Sequence, residues 1–99
     1  MKGLSFAEFY EKLFYGADVD FAYGSLYFHI SSGSDENKNH GITVCEYDKH
    51  PDEEPSYYKE IYNASSKDTE SNVNSFLESA VFNGKSIREI ESEITIIYS

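Results

Sequence analysis

The sequence predicts a small α+β domain, in which one antiparallel sheet packs a face against helices. Apolar residues recur at three- and four-residue spacing near both ends of the chain, as in amphipathic helices. Between these segments they alternate with polar residues, as in half-buried strands. The predicted sheet comprises an N-terminal hairpin, a third strand and a C-terminal strand. The length of 99 residues allows a single domain, residues 1–99, with one modest core.

A first helix is predicted over Phe6–Phe14. Ser5 is a suitable N-cap residue, and Glu8 follows three residues later, so the two can form a capping box. Phe9 and Leu13 belong to an apolar stripe at helical spacing, which we expect to face the core.

A β-hairpin follows, with strands over Val19–Tyr23 and Leu26–Ile30. Gly24-Ser25 lies between them and suits a two-residue turn of the II′ type. Such a turn fixes the register and places the apolar residues of both strands on one face. On the opposite face, the same register pairs Asp20 with His29.

In the middle of the chain, the sequence pattern predicts one strand between less regular segments. Residues 31–41 are polar and without periodicity, which indicates a loop. Residues 42–47 alternate as a third strand, but both of its faces have apolar members, so the inward face is left open. Two prolines mark a break at residues 50–55. In residues 56–63, apolar and aromatic side chains recur at three and four residues, which favours one or two helical turns.

The C-terminal third predicts two helices and a closing strand. An apolar stripe over Val73–Val81 indicates a helix that ends at Asn83-Gly84. Ser86 and Glu89 form a second capping box, which begins a short helix. The β-branched and aromatic residues of Ile94–Tyr98 predict the last strand.

Three of these pieces resemble those of a group of small uncharacterised bacterial proteins. In that group an N-terminal helix leads into a hairpin, and the chain ends in a Gly-Lys-Ser-hydrophobic-x-Glu-hydrophobic stretch. The corresponding pieces are Phe6–Phe14, Val19–Ile30 and Gly84–Ile90. The resemblance implies no activity, and no functional residue is carried over from it.

The charge balance is strongly acidic, with 18 Asp and Glu against 8 Lys and Arg and a net charge of -10. This charge repels nucleic-acid phosphates and anionic lipids, so neither direct nucleic-acid binding nor membrane binding is predicted. It favours a basic protein partner, or it serves solubility alone. An inhibitor whose carboxylates mimic nucleic-acid phosphates is a special case.

The single cysteine, Cys45, excludes an internal disulfide. No secretory apolar stretch and no 18-residue apolar run is present. We therefore expect a cytoplasmic protein, and no cofactor is predicted.

The leading functional hypothesis is a small, acidic, non-enzymatic interaction protein. Tyrosine is large, stiff and amphipathic, and it is favoured at protein interfaces beside polar groups. The predicted partner-binding residues are Asp52, Glu53, Glu54, Tyr57, Tyr58 and Tyr62. Alternatively, the tyrosines fill a core that is short of Leu and Val. A homodimer that joins open sheet edges is a third hypothesis.

The alternative function is a metal-binding protein or a cysteine-dependent enzyme centred on Cys45 and His29. His29 could act as a base oriented by Asp20, if the third strand lies beside the hairpin with Cys45 on the His29 face. His40 and His50 could complete a zinc site with Cys45. However, acidic surroundings oppose a thiolate, and no paired ligand motif is present. The sequence therefore favours a strand cysteine and solvated histidines.

Overall fold

The computed structural model describes residues 1–34 and 40–99, which form one five-stranded antiparallel sheet and three helices. The predicted α+β class is confirmed. The strands are β1 (Val19–Tyr23), β2 (Leu26–Ser34), β3 (His40–Tyr47), β4 (Tyr58–Ser66) and β5 (Thr95–Tyr98). The helices are α1 (Phe6–Phe14), α2 (Thr69–Glu78) and α3 (Ile87–Ile90), and a 3-10 turn over Glu91–Glu93 follows α3. Within the described ranges, no helix is long and apolar enough to cross a membrane.

The strand order in the sheet is β4-β3-β2-β1-β5, and all neighbours are antiparallel. Strands β1 to β4 therefore form a meander, and β5 returns to lie beside β1. The edge strands are β4 and β5. The outer edge of β5 is partly covered, because the Lys2 N–H donates to the Ile94 carbonyl and the Ile96 N–H donates to the Lys2 carbonyl, each at 2.8 Å.

The predicted hairpin and both predicted capping boxes are present. The pairs across the hairpin are Val19 with Ile30, Asp20 with His29, Phe21 with Phe28, Ala22 with Tyr27 and Tyr23 with Leu26. Gly24 has a φ of 63°, the left-handed value that a primed two-residue turn requires of its first central residue. The hydroxyls of Ser5 and Ser86 cap α1 and α3, with Glu8 and Glu89 as the reciprocal partners.

The core lies between one face of the sheet and the helices. Its buried side chains from the sheet are Val19, Phe21, Phe28, Ile30, Ile42 and Val44. Those from the helices are Phe9, Leu13, Val73, Phe76, Leu77, Ile87 and Ile90. Phe82 lies between the layers, with its ring centroid 5.2 Å from that of Phe28 and 6.3 Å from that of Phe76. Aromatic rings therefore occupy the middle of a core that has few leucines.

The prediction of helical turns over residues 56–63 is wrong, because residues 58–63 of this segment belong to β4. A β-bulge occurs where β4 passes Val44 and Cys45 of β3. The extra residue reverses the alternation, so Tyr58 and Tyr62 lie on opposite faces although they are four residues apart. It also allows the consecutive residues Ile61 and Tyr62 both to pack against the core. The spacing of three and four residues in this segment therefore does not correspond to one buried face.

Two further boundaries also differ from the predictions. Of the predicted loop over residues 31–41, residues 31–34 extend β2 and 40–41 begin β3, because backbone pairing does not depend on side-chain polarity. Residues 35–39 of that prediction lie outside the described residues. Helix α2 begins at Thr69 and ends at Glu78, before Asn83-Gly84. These two residues have φ values of 55° and 81° and form the turn between Phe82 and Lys85, a two-residue role for which Asn-Gly is well suited.

Candidate functional site on the open face of the sheet

The face of the sheet directed away from the helices, here called the open face, carries two rows of polar and aromatic side chains. The strand register aligns Asp20, His29, Cys45 and Glu60 across β1 to β4, with Tyr98 of β5 beside Asp20. A neighbouring row aligns Tyr27, Tyr47 and Tyr58 across β2 to β4, and the rings of Tyr47 and Tyr58 stack at 5.6 Å. Because Cys45 and Tyr47 lie on the open face, Ile42 and Val44 occupy the inward face of β3, which the sequence alone did not identify.

The connection between β3 and β4, here called the 48–57 loop, is held in place by its own hydrogen bonds. The Asp48 carboxylate accepts the N–H groups of Ser56 at 2.9 Å and Tyr57 at 3.2 Å, which closes the base of the loop. Burial alone would raise the pKa of Asp48, but these hydrogen bonds outweigh it and lower that pKa. A turn at Pro51 is closed by the Glu53 N–H, which donates to the His50 carbonyl at 2.8 Å.

The tip of the 48–57 loop reaches the far edge of the sheet. The Tyr98 hydroxyl donates to the Asp52 carboxylate at 2.6 Å, which raises the pKa of Tyr98. The Asp52 N–H in turn donates to Nδ1 of His50 at 3.1 Å. The His50 ring meets the ring of Tyr27 nearly edge-on at 5.7 Å between centroids. The loop is thus fixed to β2 and β5 as well as to β3.

A cavity of about 410 Å³, here called the open-face cavity, lies between this loop and the sheet. Its walls include Tyr27, Tyr47 and Tyr98 together with two prolines of the loop. Ionisable side chains also line it, namely Asp20, His29, Lys49, His50 and Glu53. Its volume lies at the small end of the range for ligand sites, about 300–1,000 Å³. An apolar wall with a few polar groups is the usual composition of such a site.

His29 lines the open-face cavity, and Asp20 orients it as the hairpin register predicts. Nδ1 of His29 lies 2.8 Å from Oδ1 of Asp20, and Nε2 lies 3.7 Å from Oδ2 of Asp18. Both ring nitrogens therefore face carboxylates, and the hydrogen bond to Asp20 fixes the orientation of the ring.

Five of the six predicted partner-binding residues lie together, on the 48–57 loop or at its end. Asp52, Glu53 and Glu54 are exposed, as are Tyr57 and Tyr58, which expose 45% and 66% of their surface. The Tyr57 hydroxyl donates to the Glu46 carboxylate at 2.7 Å, an interaction that raises the pKa of Tyr57.

Tyr62, the sixth of these residues, lies apart from the others. It pairs with Val44 on the face that meets the helices, and its ring lies 5.3 Å from that of Phe76. Tyr62 therefore packs against the core, as the alternative interpretation of the tyrosines predicts.

The register also places Cys45 directly opposite His29, as the cysteine-enzyme alternative requires. However, burial raises the pKa of the Cys45 thiol, and the Glu60 carboxylate raises it further. Cys45 is also outside the lining of the open-face cavity. In the part of the chain that the structure describes, no group of three or more His, Cys, Asp or Glu is placed to hold a metal ion.

The expectation that His40 is solvated is wrong, because His40 is only 3% exposed. Its Nε2 lies 3.1 Å from the Leu13 carbonyl, and its Nδ1 lies 3.0 Å from the amide nitrogen of Asn72. That amide also donates to the His40 carbonyl at 2.8 Å. Both ring nitrogens have partners, so His40 links β3 to α1 and α2 and is a structural residue.

We expect Cys45 to react with iodoacetamide several-fold more slowly at pH 8 than N-acetylcysteine does, because its raised pKa reduces the thiolate fraction. The rate should increase as the pH rises above that pKa. Mass spectrometry of timed samples gives the rate. In Glu60→Gln, which removes the neighbouring charge, the reaction should be faster than in the wild type. If Cys45 reacted faster than N-acetylcysteine, the result would contradict this prediction and support the cysteine-enzyme alternative.

The fold is that of a small α+β domain with a cavity on the open face of its sheet. The chain matches no protein-family model, no curated protein and no solved structure. The resemblance to small bacterial proteins stays a prediction.

Sequence reasoning missed the open-face cavity as a site. Nothing in the sequence distinguishes Tyr27 and Tyr47 from the other tyrosines, and His50 was predicted only as a potential metal ligand. The contact between Asp52 and Tyr98 joins residues 46 positions apart in the chain, and no local pattern signals it.

Proposed function

We propose that this protein is a non-enzymatic binding protein that recognises a basic protein partner through the 48–57 loop and Tyr58. The observation that supports this proposal is the clustering of Asp52, Glu53, Glu54, Tyr57 and Tyr58, all exposed, on one anchored segment. An inhibitor that presents carboxylates in place of nucleic-acid phosphates is a special case of this function. The proposed setting is the cytoplasm, where a single free cysteine stays reduced.

The anchoring of the loop favours binding because it lowers the entropic cost of association. Asp48 fixes the two ends of the loop to each other, and Asp52 fixes its tip to Tyr98. A segment that is already ordered loses less conformational freedom when a partner binds. The exposed tyrosine rings add contact area at low side-chain entropy.

The net charge of -10 supports the choice of a basic partner. Carboxylates on one surface attract a positively charged partner over a distance and raise the association rate. The expected signature is a strong dependence on salt, since exposed charges are screened within about 8 Å at physiological ionic strength.

A homodimer through β4 is a second proposal, since β4 is an edge strand of nine residues. The β-bulge in β4 opposes it, because bulges twist an edge away from regular pairing. Light scattering over a range of concentrations tests it. A monomer at all concentrations would remove this proposal without affecting the first one.

The proposed function predicts that Asp52→Asn/Glu53→Gln/Glu54→Gln weakens capture of a salt-sensitive partner by about tenfold or more. The tagged chain is used to capture partners from a bacterial lysate at low salt, and quantitative mass spectrometry compares wild type and variant. The matched control is Glu11→Gln/Glu70→Gln/Glu93→Gln, which removes the same charge from exposed positions elsewhere.

Retention of the partner by the control, together with its loss by the loop variant, would support a specific surface. Equal loss by both variants would show that only net charge matters. If the wild type captures no salt-sensitive partner, the proposal is overturned.

A further inference from the structure

The ionisable groups around the open-face cavity favour a cationic ligand. Asp20 and Glu53 line the cavity, Asp18 lies beside His29, and Asp52 holds Tyr98 at its rim. The positive side chains around it are those of Lys49, His29 and His50. Within the lining, Asp20 and Glu53 are negative and only Lys49 carries a permanent positive charge, and Asp18 and Asp52 add two carboxylates next to the lining. An anionic ligand would therefore meet an unfavourable local field as well as an acidic protein.

The aromatic walls of the cavity favour a cation that is planar. A cation within about 6 Å of a tyrosine ring is attracted by the negative face of the ring. The guanidinium group of arginine also stacks on such rings, is weakly hydrated and binds carboxylates through two parallel N–H groups. The compact ammonium group of lysine has neither the plane nor the paired donors.

The cavity is also fixed in shape before any ligand arrives. Tyr98 is held by Asp52, His29 by Asp20, and the base of the loop by Asp48. A cavity of about 410 Å³ is large enough for one long side chain with its adjoining backbone, but it is far too small for a folded element.

We propose that the open-face cavity receives an arginine side chain of the basic partner. This inference rests on the proposed function and identifies the contact at its centre. The guanidinium stacks among Tyr27, Tyr47 and Tyr98, and the Asp20 and Glu53 carboxylates supply its counter-charge. The exposed carboxylates of the loop attract the partner, and the cavity selects the residue that is inserted.

The test uses three peptides of the form acetyl-Gly-X-Gly-amide, in which X is arginine, lysine or citrulline. Citrulline keeps the length and plane of the arginine side chain but loses its charge. Each peptide is titrated to about 20 mM into the full chain and followed by NMR, since a single side chain binds in the millimolar range. We expect the arginine peptide to shift the ring signals of Tyr27, His29 and His50, with the lysine and citrulline peptides binding several-fold more weakly.

Two variants test the assignment to the cavity. Tyr27→Ala removes a wall and Glu53→Gln removes a counter-charge, so each should weaken binding of the arginine peptide by about threefold or more. Tyr15→Ala is the control, because Tyr15 is a largely exposed tyrosine that neither lines the cavity nor belongs to the proposed partner surface. Unchanged signals from the core show that each variant is folded.

Several outcomes would overturn the inference. These are absence of any shift at the highest concentration, equal binding of the citrulline or lysine peptide, or shifts confined to the helical side of the sheet. If the arginine peptide fails but the Asp52, Glu53 and Glu54 variant still loses its partner, only the cavity inference is lost. If the arginine peptide binds but no salt-sensitive partner exists, the proposed function fails and the cavity site remains.

Discussion

Replacing Phe82 with alanine is expected to lower the free energy of unfolding by about 3–5 kcal/mol. Phe82 is 1% exposed, and its ring packs against those of Phe21 at 5.7 Å, Phe28 at 5.2 Å and Phe76 at 6.3 Å. It therefore joins the hairpin to α2. Because the three neighbouring rings belong to rigid elements, the cavity left by alanine cannot close fully, and the cavity cost adds to the lost hydrophobic transfer energy.

Urea unfolding followed by circular dichroism measures this loss, since a domain of this size is expected to unfold in two states. Tyr15→Ala is the control, because Tyr15 is 79% exposed and its loss should change stability by no more than about 0.5 kcal/mol. A domain of this kind has only about 5–15 kcal/mol of stability, so Phe82→Ala should remove a large fraction of it. A loss below about 1 kcal/mol would show that Phe82 is not central to the core.

Asn72→Ala is expected to destabilise the protein by about 2–4 kcal/mol, because two buried acceptors lose their donor. The Asn72 amide donates to Nδ1 of His40 at 3.0 Å and to the His40 carbonyl at 2.8 Å. Asn72 and His40 are only 4% and 3% exposed, so water has little access to the acceptors. The same change also removes the link that holds the start of β3 against α2.

Thermal and urea unfolding of Asn72→Ala measure the effect. Asn74→Ala on the exposed side of the same helix is the control, and it should change stability by less than about 1 kcal/mol because only helix propensity changes. If both variants behave alike, the hydrogen bonds between Asn72 and His40 contribute nothing to stability.

The local parts of the fold could be predicted because their signals lie within a few residues. The capping boxes at Ser5 and Ser86 span three residues each, and the Gly24-Ser25 turn fixes a register in which every apolar pair agrees. The pairing of Asp20 with His29 follows from that turn alone, and the structure gives it a distance of 2.8 Å. These predictions hold because local geometry leaves only one arrangement that buries the apolar side.

The candidate site was only partly predictable. The sequence indicated that carboxylates and tyrosines are concentrated after the third strand, and five of the six chosen residues share one anchored segment. Tyr62 lies on the other face of the sheet because the bulge in β4 reverses which face each later residue occupies. The bulge depends on how β4 pairs with β3, so the sequence of β4 alone does not predict it.

The sequence by itself thus determined the α+β class, the hairpin register, the starts of α1 and α3 and the acidic character of the protein. Only the tertiary structure decided the inward face of β3, the burial of His40 and the existence of the open-face cavity. The physical reason is the range of the interactions. Caps and tight turns are set by neighbours in the chain, whereas the cavity depends on Asp52 meeting Tyr98 across the sheet. That contact requires the 48–57 loop to lie over the aligned side chains of His29 and Tyr27, an arrangement that no local pattern specifies.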